Sequence, residues 1–154
     1  MTYRISGLDP APFPPLFALD DAALAERGVK RMIADTRPGF PCRVTLDDAE
    51  PGQEMLLLNH VSVPHGIYQA SQAIFVSAEV AAAANYCGTI PPALDRRILS
   101  LRAFNGSFDM VAAELVEPGA ADAAIRRLLA DAAVATIHAH YATRGCYAAL
   151  VERA

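Results

Sequence analysis

Val134-Ala-Thr-Ile-His-Ala-His-Tyr-Ala-Thr-Arg-Gly-Cys-Tyr-Ala-Ala-Leu-Val-Glu-Arg-Ala154 reads as two strands joined at a glycine turn. Two turn geometries compete. A two-residue type I′ loop would hold Thr143 at positive φ, which a β-branched residue resists, whereas a three-residue loop with Gly145 in the left-handed bulge position carries no such cost. The bulged turn is therefore predicted. It sets Ala142 opposite Cys146, His140 opposite Ala148 and His138 opposite Leu150, so that both imidazoles and the thiol share one face. Ile137, Ala139, Tyr141, Tyr147, Ala149 and Val151 form the other.

Working back from this hairpin, Ile98–Ala112 carries Asn105-Gly106, the preferred pair for a type I′ turn. A two-residue loop there predicts Phe104 opposite Ser107 and Arg102 opposite Asp109 as a cross-strand ion pair, with Leu99, Leu101, Phe108 and Met110 on the core side. Met55-Leu-Leu-Leu-Asn-His-Val61 is apolar on both parities and is expected as a central strand. Ala73–Ser77 is a second buried strand, with Val63–Tyr68 as the loop between them. Cys42-Arg-Val-Thr-Leu46 alternates and is read as a further strand, delivered by the turn Arg37–Pro41. After it, Pro51-Gly52 fits the centre of a type II turn.

Helical signals are fewer. Asp20–Gly28 has an acidic start and a terminal glycine, and Asp122–Asp131 has Ala121, Ile125, Leu128, Leu129 and Ala132 at helical spacing with Arg126 and Arg127 on the wet side. Glu79–Ala84 is read as a helical turn. Asp9–Pro15 holds four of the eleven prolines and is expected as extended, polyproline-like chain over the surface, resting on Phe13. The sum is an α+β fold: a curved, mainly antiparallel sheet or partly open β-barrel with two to three helices. Residues 1–154 are read as a single domain, with residues 1–19 as an extended Pro-rich N-terminal segment packing on the surface.

Composition narrows the function classes. Hydrophobic residues make up 53% and charged residues 19%, so a real core is expected and disorder is not. A net charge of −4 argues against nucleic-acid or anionic-membrane partners, since basic residues gather only in short groups such as Arg96-Arg97 followed by Arg102. There is no signal-peptide pattern and no long apolar run, which with three widely spaced cysteines points to a reducing, cytoplasmic location.

Candidate chemistry concentrates on His138, His140 and Cys146. Histidines two apart on a strand project about 6.5–7 Å apart, close enough for both to reach one divalent metal such as zinc. The thiol, diagonal to His140, could add a third ligand or act as a nucleophile. His-x-His alone is a weak signal, however, and packed histidines beside a space-filling cysteine outweigh it. His60, Tyr68, Arg43 and Arg102 are placed at the rim, the arginines as partners for a carboxylate or phosphate. No phosphate-binding glycine loop, dinucleotide fingerprint, nucleophile elbow or zincin helix is present, which removes most large enzyme classes.

Taken together, Phe40-Pro-Cys-Arg-Val-Thr-Leu-Asp-Asp-Ala-Glu-Pro-Gly-Gln-Glu-Met-Leu-Leu-Leu58, Ala73-Ile-Phe-Val76, Leu99-Ser-Leu-Arg-Ala-Phe104 and Ile137-His-Ala-His-Tyr-Ala-Thr-Arg-Gly-Cys-Tyr147 resemble a bacterial family catalogued as domain of unknown function 1203. The resemblance runs over nearly all of the chain from Phe40 onward. It implies a single-domain bacterial protein and carries no activity or site residue with it. Tyr68-Gln-Ala-Ser-Gln72 departs from the family pattern in lacking a glycine before the Ile-Phe strand.

The expectation is thus a cytoplasmic small-molecule-binding domain, with enzymatic activity left open, whose polar site lies on the face of the C-terminal hairpin. The alternative is a non-catalytic structural or interaction protein whose alanine-rich faces form a homodimer.

Overall fold

The structure is a computed structural model that describes residues 2–154. Among these residues the elements in chain order are β1 (Tyr3–Ser6), α1 (Pro14–Phe17), α2 (Asp21–Glu26), β2 (Lys30–Ile33), β3 (Glu54–Val63), β4 (Ala70–Ser77), β5 (Asn85–Cys87), α3 (Pro92–Asp95), β6 (Leu99–Phe104), β7 (Met110–Val116), α4 (Ala121–Leu129), β8 (Thr136–Tyr141) and β9 (Tyr147–Arg153). The strands form two sheets, one ordered β5-β1-β9-β8-β6-β7 and one ordered β2-β3-β4, each antiparallel throughout. The α+β class with antiparallel sheets is as read from the sequence. Neither sheet closes into a barrel.

Each sheet owns a core. One face of the six-stranded sheet buries Ile5, Leu99, Leu101, Ile137, Ala139 and Val151 against Ala124, Ile125 and Leu129 of α4. Burying Ile125 and Leu129 contributes about 1.5–3 kcal/mol each, whereas the Asp122–Arg126 pair on the same helix is solvent-exposed and screened. Packing therefore holds α4 in place. The three-stranded sheet buries Met55, Leu56, Ile74 and Val76 with Leu24 of α2, whose N-cap Asp20 accepts from the Ala23 amide at 2.8 Å. Gly28 closes that helix at φ +68°.

Four readings of the sequence are corrected. Cys42–Leu46 is a turn instead of a strand: the Leu46 amide donates to the Cys42 carbonyl at 2.9 Å and Leu46 has φ +56°. Its apolar residues alternate because they serve different cores, Cys42 and Val44 the smaller sheet and Leu46 the larger. The N-terminal segment is not extended surface chain. Tyr3 and Ile5 alternate inward, so Tyr3–Ser6 is an interior strand between β5 and β9, and Pro14–Phe17 turns into a helix whose first positions tolerate proline. Glu79–Ala84 forms no helix, and the chain instead runs on into β5.

Asn105-Gly106 does not make a two-residue turn. The Asn105 side chain accepts from the amides of both Ser107 and Asp109, at 2.9 and 3.0 Å, which stabilises a wider loop with Phe108 at φ +62°. Phe104 then pairs with Met110 and Arg102 with Ala113, so the Arg102–Asp109 ion pair does not form.

Candidate functional site

The terminal hairpin determines which side chains meet. Gly145 takes the left-handed conformation expected of it, at φ +74°, but the loop spans Ala142–Gly145, with Tyr141 paired to Cys146 through a 3.0 Å amide–carbonyl bond. A bulge then sets His140 opposite Tyr147 in place of Ala148, before His138 meets Leu150 as the sequence predicts. One inserted residue moves Tyr147 to the imidazole face. Cys146 goes to the side of Tyr141 and packs against the larger core. The shared face of two rings and one thiol is therefore overturned, because alanines 148 and 149 fit either phase equally well.

The imidazoles form a cluster around Tyr147. Ring centroids of His60, His138 and His140 lie 5.0, 5.6 and 5.9 Å from that of Tyr147, and Phe104 stacks on His138 at 4.8 Å. The Tyr68 ring lies edge-to-face with Phe104, their centroids 6.2 Å apart. Arg102 is cross-strand from His138, its Nε 3.4 Å from the Ser100 hydroxyl. His138 is 5% exposed and His140 1%. Burial, reinforced by His60 and Arg102, pushes His138 down to about 4. Burial does the same for His140, against the pull of the Gly145 carbonyl 3.0 Å from its Nδ1. Both rings are neutral at pH 7. Among the described residues no group of three or more His, Cys, Asp or Glu is arranged to hold a metal, so His138 and His140 gain no third ligand.

Arg43 and Cys146 meet elsewhere, at the seam where the turn Pro41–Asp48 joins the two sheets. Arg43 is 2% exposed. Its Nε donates to the Tyr147 carbonyl at 2.7 Å, Nη1 to the Pro41 carbonyl at 2.6 Å and Nη2 to the Cys146 sulfur at 3.1 Å. Among the described residues no carboxylate pairs with it. A buried cation held by dipoles and without a counter-ion is costly, and it creates a strong local preference for an anion.

The surroundings add to that preference. Arg43 lines an open cleft of about 1220 Å³ together with Arg96, Arg97, Arg144, Tyr141 and Cys146. The fully buried Asp48 carboxylate accepts from Arg96 at 2.9 Å and from Arg97 at 2.9 and 2.5 Å, and it also accepts from the Gly39 amide. Burial alone would raise this carboxyl, but the bonds and charge of Arg97, helped by Gly39 and Arg96, hold it below the usual range. Asp48 thus serves both arginines, with Asp47 3.8 Å from Arg96 as well, and among the described residues Arg43 and Arg144 pair with no carboxylate. Tyr141 lies between Arg43 and Arg97, whose guanidinium carbons are 4.8 and 5.2 Å from its ring centroid. Its hydroxyl is buried without a hydrogen-bond partner, and burial pushes it up to about 12.

Arg96, Arg97, Asp48 and Tyr141 were not singled out by sequence as site residues. The Arg96-Arg97 pair and the acidic Asp47-Asp48-x-Glu50 turn were visible separately, and only the fold brings them together.

Residues 39–153 match the family described as a protein of unknown function, DUF1203. The matched range holds every residue of the cleft and of the imidazole cluster named above. No curated protein and no solved structure matches the chain. No helix among the described residues is long and apolar enough to cross a membrane.

Proposed function

From the premise that the chain belongs to the DUF1203 family, we propose that this protein is a small-molecule-binding domain whose ligand carries a carboxylate or phosphate group, bound in the arginine-lined cleft. The observation that carries this reading is Arg43, a nearly fully buried guanidinium without a carboxylate partner, on the wall of an open cavity. Arg97 and Arg96 are partly neutralised by Asp48, and Arg144 sits exposed at the mouth on the hairpin loop. A fork-shaped guanidinium matches planar carboxylate and phosphate oxygens, and the low dielectric of a half-enclosed cleft strengthens the attraction. Phe40, Phe75 and Leu57 give the opposite wall an apolar surface for the body of the ligand.

The imidazole cluster supports this site without lining it. Tyr147, which the three rings hold, presents the carbonyl that Arg43 binds.

Thermal denaturation with inorganic phosphate, citrate and a neutral polyol tests the reading. A ligand at about one hundred times its dissociation constant adds about 2.7 kcal/mol, which for a chain of this size raises Tm by about 5–10 °C. Anions are expected to give such a rise, reduced in Arg144→Gln, while the polyol gives none. Equal responses to anions and polyol would sink the proposal.

A further inference from the structure

We propose, resting on the anion-binding reading above, that Cys146 is a nucleophile of the cleft, acting on an electrophilic carbon that lies one or two bonds from the ligand's anionic group. Three observations converge on the sulfur. Cys146 is partly exposed and lines the cavity, whereas Cys42 is buried and Cys87 lies exposed outside the cleft. Arg43 donates to Sγ at 3.1 Å, so a cationic donor already stands where charge develops when the sulfur reacts. Tyr141, 5% exposed and on the same wall, keeps a hydroxyl that no protein group accepts from. An unmet buried donor costs about 1–3 kcal/mol, which a ligand oxygen that reached it from the cleft would relieve.

The step balances without a redox partner. The sulfur forms a bond to the electrophilic carbon as the bond from that carbon to its leaving group breaks, the leaving group departs with the electron pair, and the thiol proton passes to solvent. The arginines hold the anionic group and fix the distance from anion to reacting carbon. Carboxylates or phosphates bearing a leaving group or an activated carbonyl beside the charged end are the matching substrate class.

Two alkylating reagents of nearly equal size separate this from a passive thiol. Iodoacetate carries the carboxylate next to the reacting carbon and iodoacetamide carries a neutral amide there. Rates at each cysteine of the intact protein are read by peptide mass spectrometry, with Cys87 as the internal reference. The iodoacetate-to-iodoacetamide rate ratio at Cys146 is expected to exceed that at Cys87 by about tenfold or more. Inorganic phosphate is expected to remove that excess while leaving Cys87 unchanged. A ratio at Cys146 equal to or below that at Cys87, or one that phosphate does not alter, overturns the nucleophile. Cys146→Ser separates the two proposals: if phosphate still raises its Tm while wild-type Cys146 shows no excess, anion binding stands and the nucleophile falls. If phosphate stabilises neither protein, both fall.

Discussion

The guanidinium of Arg43 donates to the sulfur of Cys146 at 3.1 Å, across 103 residues of sequence, and so ties the seam between the sheets to the mouth of the terminal hairpin. The same side chain bonds the carbonyls of Pro41 and Tyr147. One residue thereby joins the two sheets beside the cleft and places an uncompensated charge on its wall.

Replacing Arg43 by Lys tests this double role. An ammonium keeps the charge but lacks the planar fork, so it cannot meet two carbonyls and a sulfur in their present positions. At least one buried carbonyl loses its donor. Arg43→Lys is expected to lower stability by about 2–4 kcal/mol, measured as a shifted urea midpoint at unchanged m-value. A loss below about 0.5 kcal/mol would show that the three bonds do not organise the seam.

Asp48 makes a prediction with two opposite signs. Its buried carboxylate neutralises Arg97 and shares Arg96 with Asp47, which lies 3.8 Å from that guanidinium, so Asp48→Asn strands Arg97 and is expected to cost about 3–5 kcal/mol. The same change frees Arg97 toward the cleft and leaves Arg96 with Asp47 alone, and the affinity for inorganic phosphate is expected to rise, measured by calorimetry. The folded carboxyl sits below its ordinary value of 3.8, so its contribution is present above that pH and lost as pH falls through the folded value. Asp48→Asn should therefore flatten the acid limb of the stability curve below about pH 4.

Elements specified by neighbouring residues were legible in the sequence, whereas those specified by distant partners were not. The acidic helix start at Asp20, Gly28 as stop and Pro51-Gly52 as turn need only local geometry, and each stands where it was read. The apolar run Met55–Leu58 likewise announced a central strand, and β3 lies between β2 and β4. Cys42–Leu46 misled because its alternation serves two cores at once. The phase of β9 misled because Ala148 and Ala149 have too little side chain to prefer a face, so the bulge was free to take either. Arg43 was named from sequence as a candidate partner for a carboxylate or phosphate, but the neutralisation of Arg97 by a carboxylate 49 residues away is a property of the fold alone.

The imidazole cluster predicts an acid sensitivity of its own. His138 and His140 titrate near 4 when folded against 6.5 when unfolded. Between those values the unfolded chain binds protons that the folded one refuses, so stability falls as pH drops from 6.5 toward 4. The effect is on the order of 3 kcal/mol for each ring. His138 Nδ1 is buried with no partner, so His138→Leu removes an unmet polar atom along with the titration. It is expected to stay within about 1 kcal/mol of wild type at pH 8 and to lose less stability by pH 4.5. A variant as acid-sensitive as wild type would mean that the ring is protonated in the folded state.

Two glycines separate backbone conformation from steric room. A Cβ on Gly145 would meet nothing within 4 Å, so Gly145→Ala suffers only from φ +74°, at a cost of about 1–2 kcal/mol. Gly145→Asn, whose side chain tolerates that region, is expected to recover part of this loss. Gly7 is the reverse case. A Cβ there would lie 2.1 Å from the Val44 carbonyl oxygen, which is backbone and has no rotamer to yield. The Val44 carbonyl also accepts from the Ala84 amide at 2.8 Å, so displacing it disturbs the connection into β5. Gly7→Ala is expected to cost more than Gly145→Ala, above about 2 kcal/mol, and Gly7→Asn to give no relief. Thermal melts of the four variants check the ordering. If Gly7→Ala proves the milder change, the Gly7–Val44 contact at the seam is looser than its geometry states.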